Sequence, residues 1–278
     1  MSRNLPYEGY LLVSDMDGTL ITETFEMPAR NIEAARAFME GGGHFAFATG
    51  RTHSSAGAFL DRVEVNTPCI LYNGAVIFDY ANKRFVWSAD LPAAVTELAR
   101  EAIRRFPEVG VELITDDAVY IVHESTATRR HTNNERLHYV ITDLDHAPRS
   151  GWHKMIFAAE EDRLPVFADF AGKAPNHGWD MVFSSTHFLE VLPRNVSKGT
   201  TVLHLASLLQ IEKEHIFAIG DYYNDLTLLR TAAFSAAPAG APDDVKAAAD
   251  VVVGPCKLGA VADFINCIDE RLEKAANA

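Results

Sequence analysis

A chain of 278 residues, 48% hydrophobic and 23% charged, has the size of one or two domains and can bury a large core without disulfides. A formal net charge of -13 without basic blocks argues against a nucleic acid or an anionic membrane as partner, and no apolar run approaches the roughly 20 residues of a membrane span. Cys69, Cys256 and Cys267 are sparse, odd in number and without zinc-ligand spacing, and the first residues lack a signal-peptide pattern, so a cytoplasmic protein with reduced thiols is expected.

The predicted elements alternate in type. Residues 10–15 read as a short buried strand, 28–40 as a helix stopped by Gly41-Gly42-Gly43, 44–49 as a second strand and 69–72 as a third. Between 87 and 187 the pattern changes. Strands are predicted at 111–115, 119–122, 154–159 and 181–184, with helices at 92–106, 126–137 and 163–172. The turn Thr115-Asp116-Asp117-Ala118 joins two of these strands and implies antiparallel pairing. A helix follows at 200–210. Strands at 215–220, 234–237 and 251–253 then alternate with helices at 225–230, 243–249 and 258–273. Short strands separated by helices imply a parallel sheet covered on both faces. The expected fold is therefore α/β: a doubly wound, Rossmann-like parallel-sheet core over residues 1–86 and 188–278, split by an inserted α+β cap over 87–187.

Four segments carry candidate chemistry. Asp15-Met16-Asp17-Gly18-Thr19-Leu20 leaves the first strand at its carboxyl end, where ligands bind in parallel sheets. Two carboxylates two residues apart repel each other and call for a cation. A calcium loop of the EF-hand type would need glycine where Leu20 stands and a helix in front, and a strand precedes instead. Thr49-Gly50-Arg51 ends the second strand, where a hydroxyl and a free N–H can take a phosphoryl oxygen. Ser197-Lys198-Gly199 opens a helix, and a lysine in a first turn opposes the helix dipole unless an anion is near. Gly220-Asp221-Tyr222-Tyr223-Asn224-Asp225 places further carboxylates at a strand's carboxyl end. Taken alone, the Asp15 segment already points to a cation site, whereas the other three can be an ordinary turn, a solvated lysine and a capped helix start.

Taken in this order, the four segments resemble the motifs of the haloacid dehalogenase superfamily. Asn73-Gly74-Ala75 and Leu192-Pro193-Arg194-Asn195-Val196-Ser197-Lys198-Gly199 resemble its Cof-type branch, which includes sugar phosphatases and carries a cap between the second and third motifs. Tyr222 departs from the serine common there, and the tail 236–241 departs from the usual Met-Gly-Asn-Ala. The resemblance implies a phosphatase acting on a small phosphorylated metabolite. Asp15 would be the nucleophile and Asp17 the general acid and base. Magnesium would be held by Asp15, the backbone carbonyl of Asp17, and Asp221. The backbone of Met16, Thr49, Gly50, Lys198 and Asn224 would bind the phosphoryl oxygens, with Asp225 orienting Lys198 or a metal-bound water. Arg51 and Asn73 are candidates for substrate contact. So are Arg129, Arg130 and His131, the dense basic cluster of the insert. A phosphomutase of the phosphomannomutase type is the alternative, and it would need a second basic phosphate site. A dinucleotide enzyme is disfavoured, because Gly41-Gly42-Gly43 precedes a strand where such a loop follows one.

Overall fold

The run Leu11-Leu12-Val13 offers apolar side chains to both faces of an extended chain, which suits a strand covered on both sides. In the computed structural model, which describes residues 5–135, 138–175 and 178–277, it is β1 (Leu11–Ser14), buried throughout. Helix α1 (Ala29–Glu40) ends at Gly41 and returns the chain to β2 (His44–Phe47). The short α2 (His53–Gly57) is capped by Thr52, whose hydroxyl accepts from the Ser55 N–H. Next come β3 (Cys69–Leu71), β4 (Val76–Asp79) and β5 (Arg84–Ser88), which form a small three-stranded sheet. Here the structure differs from the sequence reading. The predicted strand at 69–72 pairs antiparallel with β4, and it touches β2 through one isolated bridge, Ala48 to Ile70.

The chain divides into two compact units, 1–86 with 197–278, and 87–196. The second unit contains α3 (Val95–Arg105), β6 (Gly110–Ile114), β7 (Val119–His123), α4 (Thr126–Glu135), β8 (Tyr139–Ile141), β9 (Lys154–Ala158), α5 (Leu164–Gly172), β10 (Trp179–Ser185) and β11 (Phe188–Pro193). The predicted end of α4, at 136–137, lies outside the described residues. The six strands run in the order β10-β11-β9-β6-β7-β8, antiparallel except for β7 with β8. The two-residue strand period sorts the side chains by face. Val111, Leu113, Met155, Phe157, Leu189 and Val191 join one apolar cluster with Val95 and Leu98 of α3 and Leu164 and Phe167 of α5. Each such side chain contributes roughly 1.5–3 kcal/mol on full burial. The alternate register places Glu112 and Glu190 on either side of Ile156. The core boundary expected at 188 is corrected to 197. Residues 188–193 are β11, which fills the gap between β10 and β9 and so belongs to the second unit's sheet.

The chain re-enters the first unit at α6 (Lys198–Leu209), whose N-cap Ser197 accepts from the Thr200 N–H while the Thr200 hydroxyl accepts from the Ser197 N–H. Then follow β12 (Ile216–Ile219), α7 (Leu226–Thr231), β13 (Phe234–Pro238), α8 (Asp243–Ala248), β14 (Val251–Val253) and α9 (Ala260–Ala276). The main sheet is parallel, in the order β14-β13-β12-β1-β2. From β1 the chain first moves to β2 on one side and later to β12 on the other. The carboxyl ends of β1 and β12 therefore flank a topological switch point, where a crevice forms in such sheets.

Candidate active site

Asp15 follows β1, and its N–H donates to the Ile219 carbonyl at 2.9 Å, extending the β1–β12 ladder by one rung. The chain then winds about the Met16 carbonyl, which accepts from the N–H groups of Thr19, Leu20 and Ile21. Gly18 sits at φ +81°, and a Cβ there would run into the Asp221 carboxylate. Only glycine lets this loop come so close to the end of β12. Thr19 fastens the approach, its hydroxyl donating to Asp221 Oδ1 at 2.8 Å.

Lys198 opens α6 and is fully buried, with Nζ 2.5 Å from Asp15 Oδ1 and 2.6 Å from Asp225 Oδ1. Its backbone position is set by Gly74, at φ +110°, where any Cβ would strike the backbone between Ser197 and Lys198. The Thr201 hydroxyl donates to the Gly74 carbonyl at 2.7 Å. Asp225, also fully buried, serves two purposes. One oxygen takes Lys198, and the other accepts from the N–H groups of Asp221 and Tyr222 at 3.0 and 3.1 Å.

Asp15, Asp221 and Asp225 each offer a carboxylate oxygen within 4.8 Å of the others. Burial pushes the Asp15 carboxyl well above the usual carboxylate range; Lys198 opposes the shift, and Asp225, Asp221 and Asp17 add to it. Burial and then Asp225 push Asp221 up to about 7, against the Thr19 hydrogen bond and Lys198. Burial also disfavours the charge on Lys198, but Asp15 and Asp225 outweigh it and raise its pKa. Three acidic groups around one lysine are thus short of positive charge.

Thr49 is buried, and its hydroxyl accepts from the Arg51 N–H at 3.2 Å. Its carbonyl accepts from the N–H of Asn73, which lies in the left-handed region at φ 56°. The Asn224 amide donates to Asn73 Oδ1 at 2.9 Å, leaving Asn73 Nδ2 and Asn224 Oδ1 buried without a partner among the described residues. A Cβ at Gly50 would lie 2.9 Å from that Asn73 Nδ2. Among the described residues nothing accepts from the Met16 N–H. Unpaired buried polar atoms are costly, and these collect around Asp15's end of the sheet.

The clustered side chains are those of Asp15, Asp221 and Asp225; Asp17, expected to reach a metal through its backbone carbonyl, turns its carboxylate elsewhere. The Asp17 carboxylate is half-exposed and accepts twice from Arg51, at 2.6 and 2.7 Å. Arg51, expected at the substrate, is itself buried. The basic cluster of the second unit divides. Arg129 pairs with Glu124 at 3.0 Å and Arg130 with Glu160 at 2.7 Å, both exposed, while His131 turns inward to the fully buried Glu112 at 2.7 Å. A helix turns about 100° per residue, so three neighbours in sequence cannot share a face. The sequence reading missed Thr19, which stands in the quoted motif, and the buried Lys154–Glu190 pair at 2.8 Å, for which a lysine amid an apolar strand was the available signal.

This fold, with an acidic crevice at the β1–β12 switch point and a buried lysine reaching into it, defines a haloacid dehalogenase-type hydrolase. The match to the family described as haloacid dehalogenase-like hydrolase runs over residues 12–265, and the chain belongs to that family. It is 25% identical over 264 residues to the pyridoxal phosphate phosphatase YbhA of Escherichia coli K12, covering 92% of this chain and 97% of that protein. It is 28% identical over 222 residues to an HMP-PP phosphatase of Yersinia pseudotuberculosis, covering 79% and 80%. A HAD/COF-like hydrolase structure from Plasmodium vivax superposes with a TM-score of 0.83 at 19% identity, over 94% of this chain and 96% of that one. The protein is a phosphatase of this family. No helix among the described residues is long and apolar enough to cross a membrane.

Proposed function

We propose that the protein hydrolyses the phosphate monoester of a small metabolite, a sugar phosphate or a compound the size of pyridoxal phosphate, with magnesium and through an aspartyl phosphate on Asp15. The observation that carries this reading is the position of Asp15. It is a buried carboxylate at the switch point, one oxygen on Lys198, amid acidic groups whose ionisation needs more positive charge than Lys198 supplies. The residues present fit a hard divalent cation. Asp225 has both oxygens engaged, which leaves the Asp15 and Asp221 carboxylates as side-chain ligands, with the Asp17 carbonyl as the third protein oxygen. Bound there, magnesium would offset the clustered charge and stabilise the transferring phosphoryl group.

The chain's own groups supply the rest. The Asp15 carboxylate attacks phosphorus, and the ester oxygen leaves with a proton from Asp17. Water then adds to the aspartyl phosphate, giving its proton to Asp17, and the Asp15–phosphate bond breaks to release inorganic phosphate. Lys198 neutralises a phosphoryl oxygen, and the unpaired Met16 N–H with the Thr49, Gly50 and Asn73–Asn224 groups are the donors around it. The second unit, inserted at 87–196, is proposed as the cap that selects the leaving alcohol. The test is phosphate release from hexose phosphates, pyridoxal phosphate and HMP-PP, with magnesium or with EDTA, in the parent and in Asp15→Asn. Expected are magnesium-dependent release in the parent and no trapped phosphoenzyme in Asp15→Asn. Full turnover in EDTA would remove the metal from the scheme, and sugar 1- and 6-phosphate interconversion without phosphate release would favour a mutase.

A further inference from the structure

Arg51 is held more elaborately than a substrate-binding arginine needs to be. Its guanidinium donates to both Asp17 oxygens, and its other terminal nitrogen donates to Ser55 Oγ at 2.7 Å. It also lies 5.3 Å from the Phe25 ring centroid and 5.2 Å from that of Phe59, within cation–π range of both. Phe25 belongs to a tight turn at 22–26, in which Thr22 N–H donates to the Glu26 carbonyl and Phe25 N–H to the Thr22 carbonyl. Phe25 is an exposed aromatic residue at φ 59°, a conformation costing roughly 1–2 kcal/mol for a residue with a side chain. The Arg62 guanidinium donates to its carbonyl at 2.8 Å, and Arg62 also packs on Phe59 at 5.9 Å. The turn is therefore tied to the Arg51 site from two sides. Among the described residues Arg51 is the hydrogen-bond partner of the Asp17 carboxylate.

We propose that Arg51 is a positioning residue for Asp17, fixed in place by Phe25, Phe59 and Ser55, and that it serves the second half of the reaction more than the first. This rests on the acid–base reading of Asp17 given above. A guanidinium fork with both carboxylate oxygens accepting is the geometry of an ionised carboxylate. That is the form Asp17 takes after giving its proton to the leaving group, and the form that must accept a proton from the attacking water. In the first step Asp17 is the donor, and the fork contributes less. Arg51 thus orients the base that completes hydrolysis of the aspartyl phosphate, and the 22–26 turn becomes part of the positioning apparatus.

The test is the split between kinetic steps in Arg51→Ala, Arg51→Lys and Phe25→Ala, with thermal unfolding measured alongside. In Arg51→Ala we expect kcat to fall roughly 10–100-fold, KM to fall with it, kcat/KM to change far less, and acid-trapped phosphoenzyme to rise. Phe25→Ala, an exposed change, should show the same pattern at roughly 3-fold, and Arg51→Lys should lie between parent and Arg51→Ala. In an Asp17→Asn background, Arg51→Ala should have no further effect on kcat. A raised KM with unchanged kcat would assign Arg51 to the substrate and overturn the proposal. So would equal losses in kcat and kcat/KM without phosphoenzyme accumulation, the mark of a merely structural role. If Asp17→Asn alone turns over like the parent, the acid–base reading itself falls, and the proposal with it.

Discussion

Replacing Lys198 by methionine would keep most of the side chain's volume and remove the buried cation that faces Asp15 and Asp225. Lys198 and Asp225 are fully buried and Asp15 nearly so, and the two ion pairs are 2.5 and 2.6 Å long. Removing one partner of a buried ion pair costs about 3–5 kcal/mol, because the remaining charge stays out of water. At about 2–4 °C per kcal/mol for a chain of this size class, Tm should drop by about 6–20 °C. The loss should also depend on pH. Burial and the neighbouring carboxylates raise the folded-state pKa of Asp15 and Asp221, the latter to about 7. A carboxyl raised in this way is protonated in the folded chain while already ionised in the unfolded one, so stability falls as pH climbs from about 4 through the folded value. Without Lys198 both groups move further up. The deficit should then be fully expressed at pH 8 and much smaller at pH 5. Circular dichroism melts in EDTA at the two pH values measure it, and Lys198→Met with Asp225→Asn should recover part of the loss. An unchanged Tm at pH 8, or a deficit just as large at pH 5, would refute the view of Lys198 as counter-ion to this cluster.

Gly18→Ala should weaken magnesium activation roughly 10–100-fold, since the new Cβ displaces the Asp221 carboxylate from a backbone already at φ +81°; a magnesium titration of activity matching the parent would show that this close approach is dispensable. In α4, Arg129→Ala and Arg130→Ala should each change stability by under about 1 kcal/mol, as exposed ion pairs do. His131→Ala, which strands the fully buried Glu112 carboxylate, should cost about 1–3 kcal/mol, and equal effects of all three in thermal melts would contradict the division of this cluster by helix face.

The sequence by itself determined the elements whose signal is local. Apolar runs such as 11–13 and 216–219 report burial on both faces and became β1 and β12. Gly18, Ser197 and Gly41 mark a left-handed turn, a cap and a helix end, because each follows from the backbone chemistry of a few neighbouring residues. Asp15, Lys198, Asp221 and Asp225 were legible as candidates because each stands where a strand ends or a helix begins, while the strand order that sets β1 beside β12 came from the structure. What only the tertiary structure decided is non-local. Residues 188–193 were assigned to the core without a predicted strand, since a sequence does not show which strands lie beside a segment, and pairing with β10 and β9 placed them in the second unit. The strand at 69–71 likewise shows nothing of its antiparallel partner. Arg51 looked like a ligand for substrate until its partners, 34 residues away at Asp17 and on the turn that carries Phe25, closed around it. His131 parted from Arg129 and Arg130 because Glu112, on a strand 19 residues earlier, lies beneath one face of α4 alone. Charge in a sequence is a list of signs, and only folding decides which of them meet.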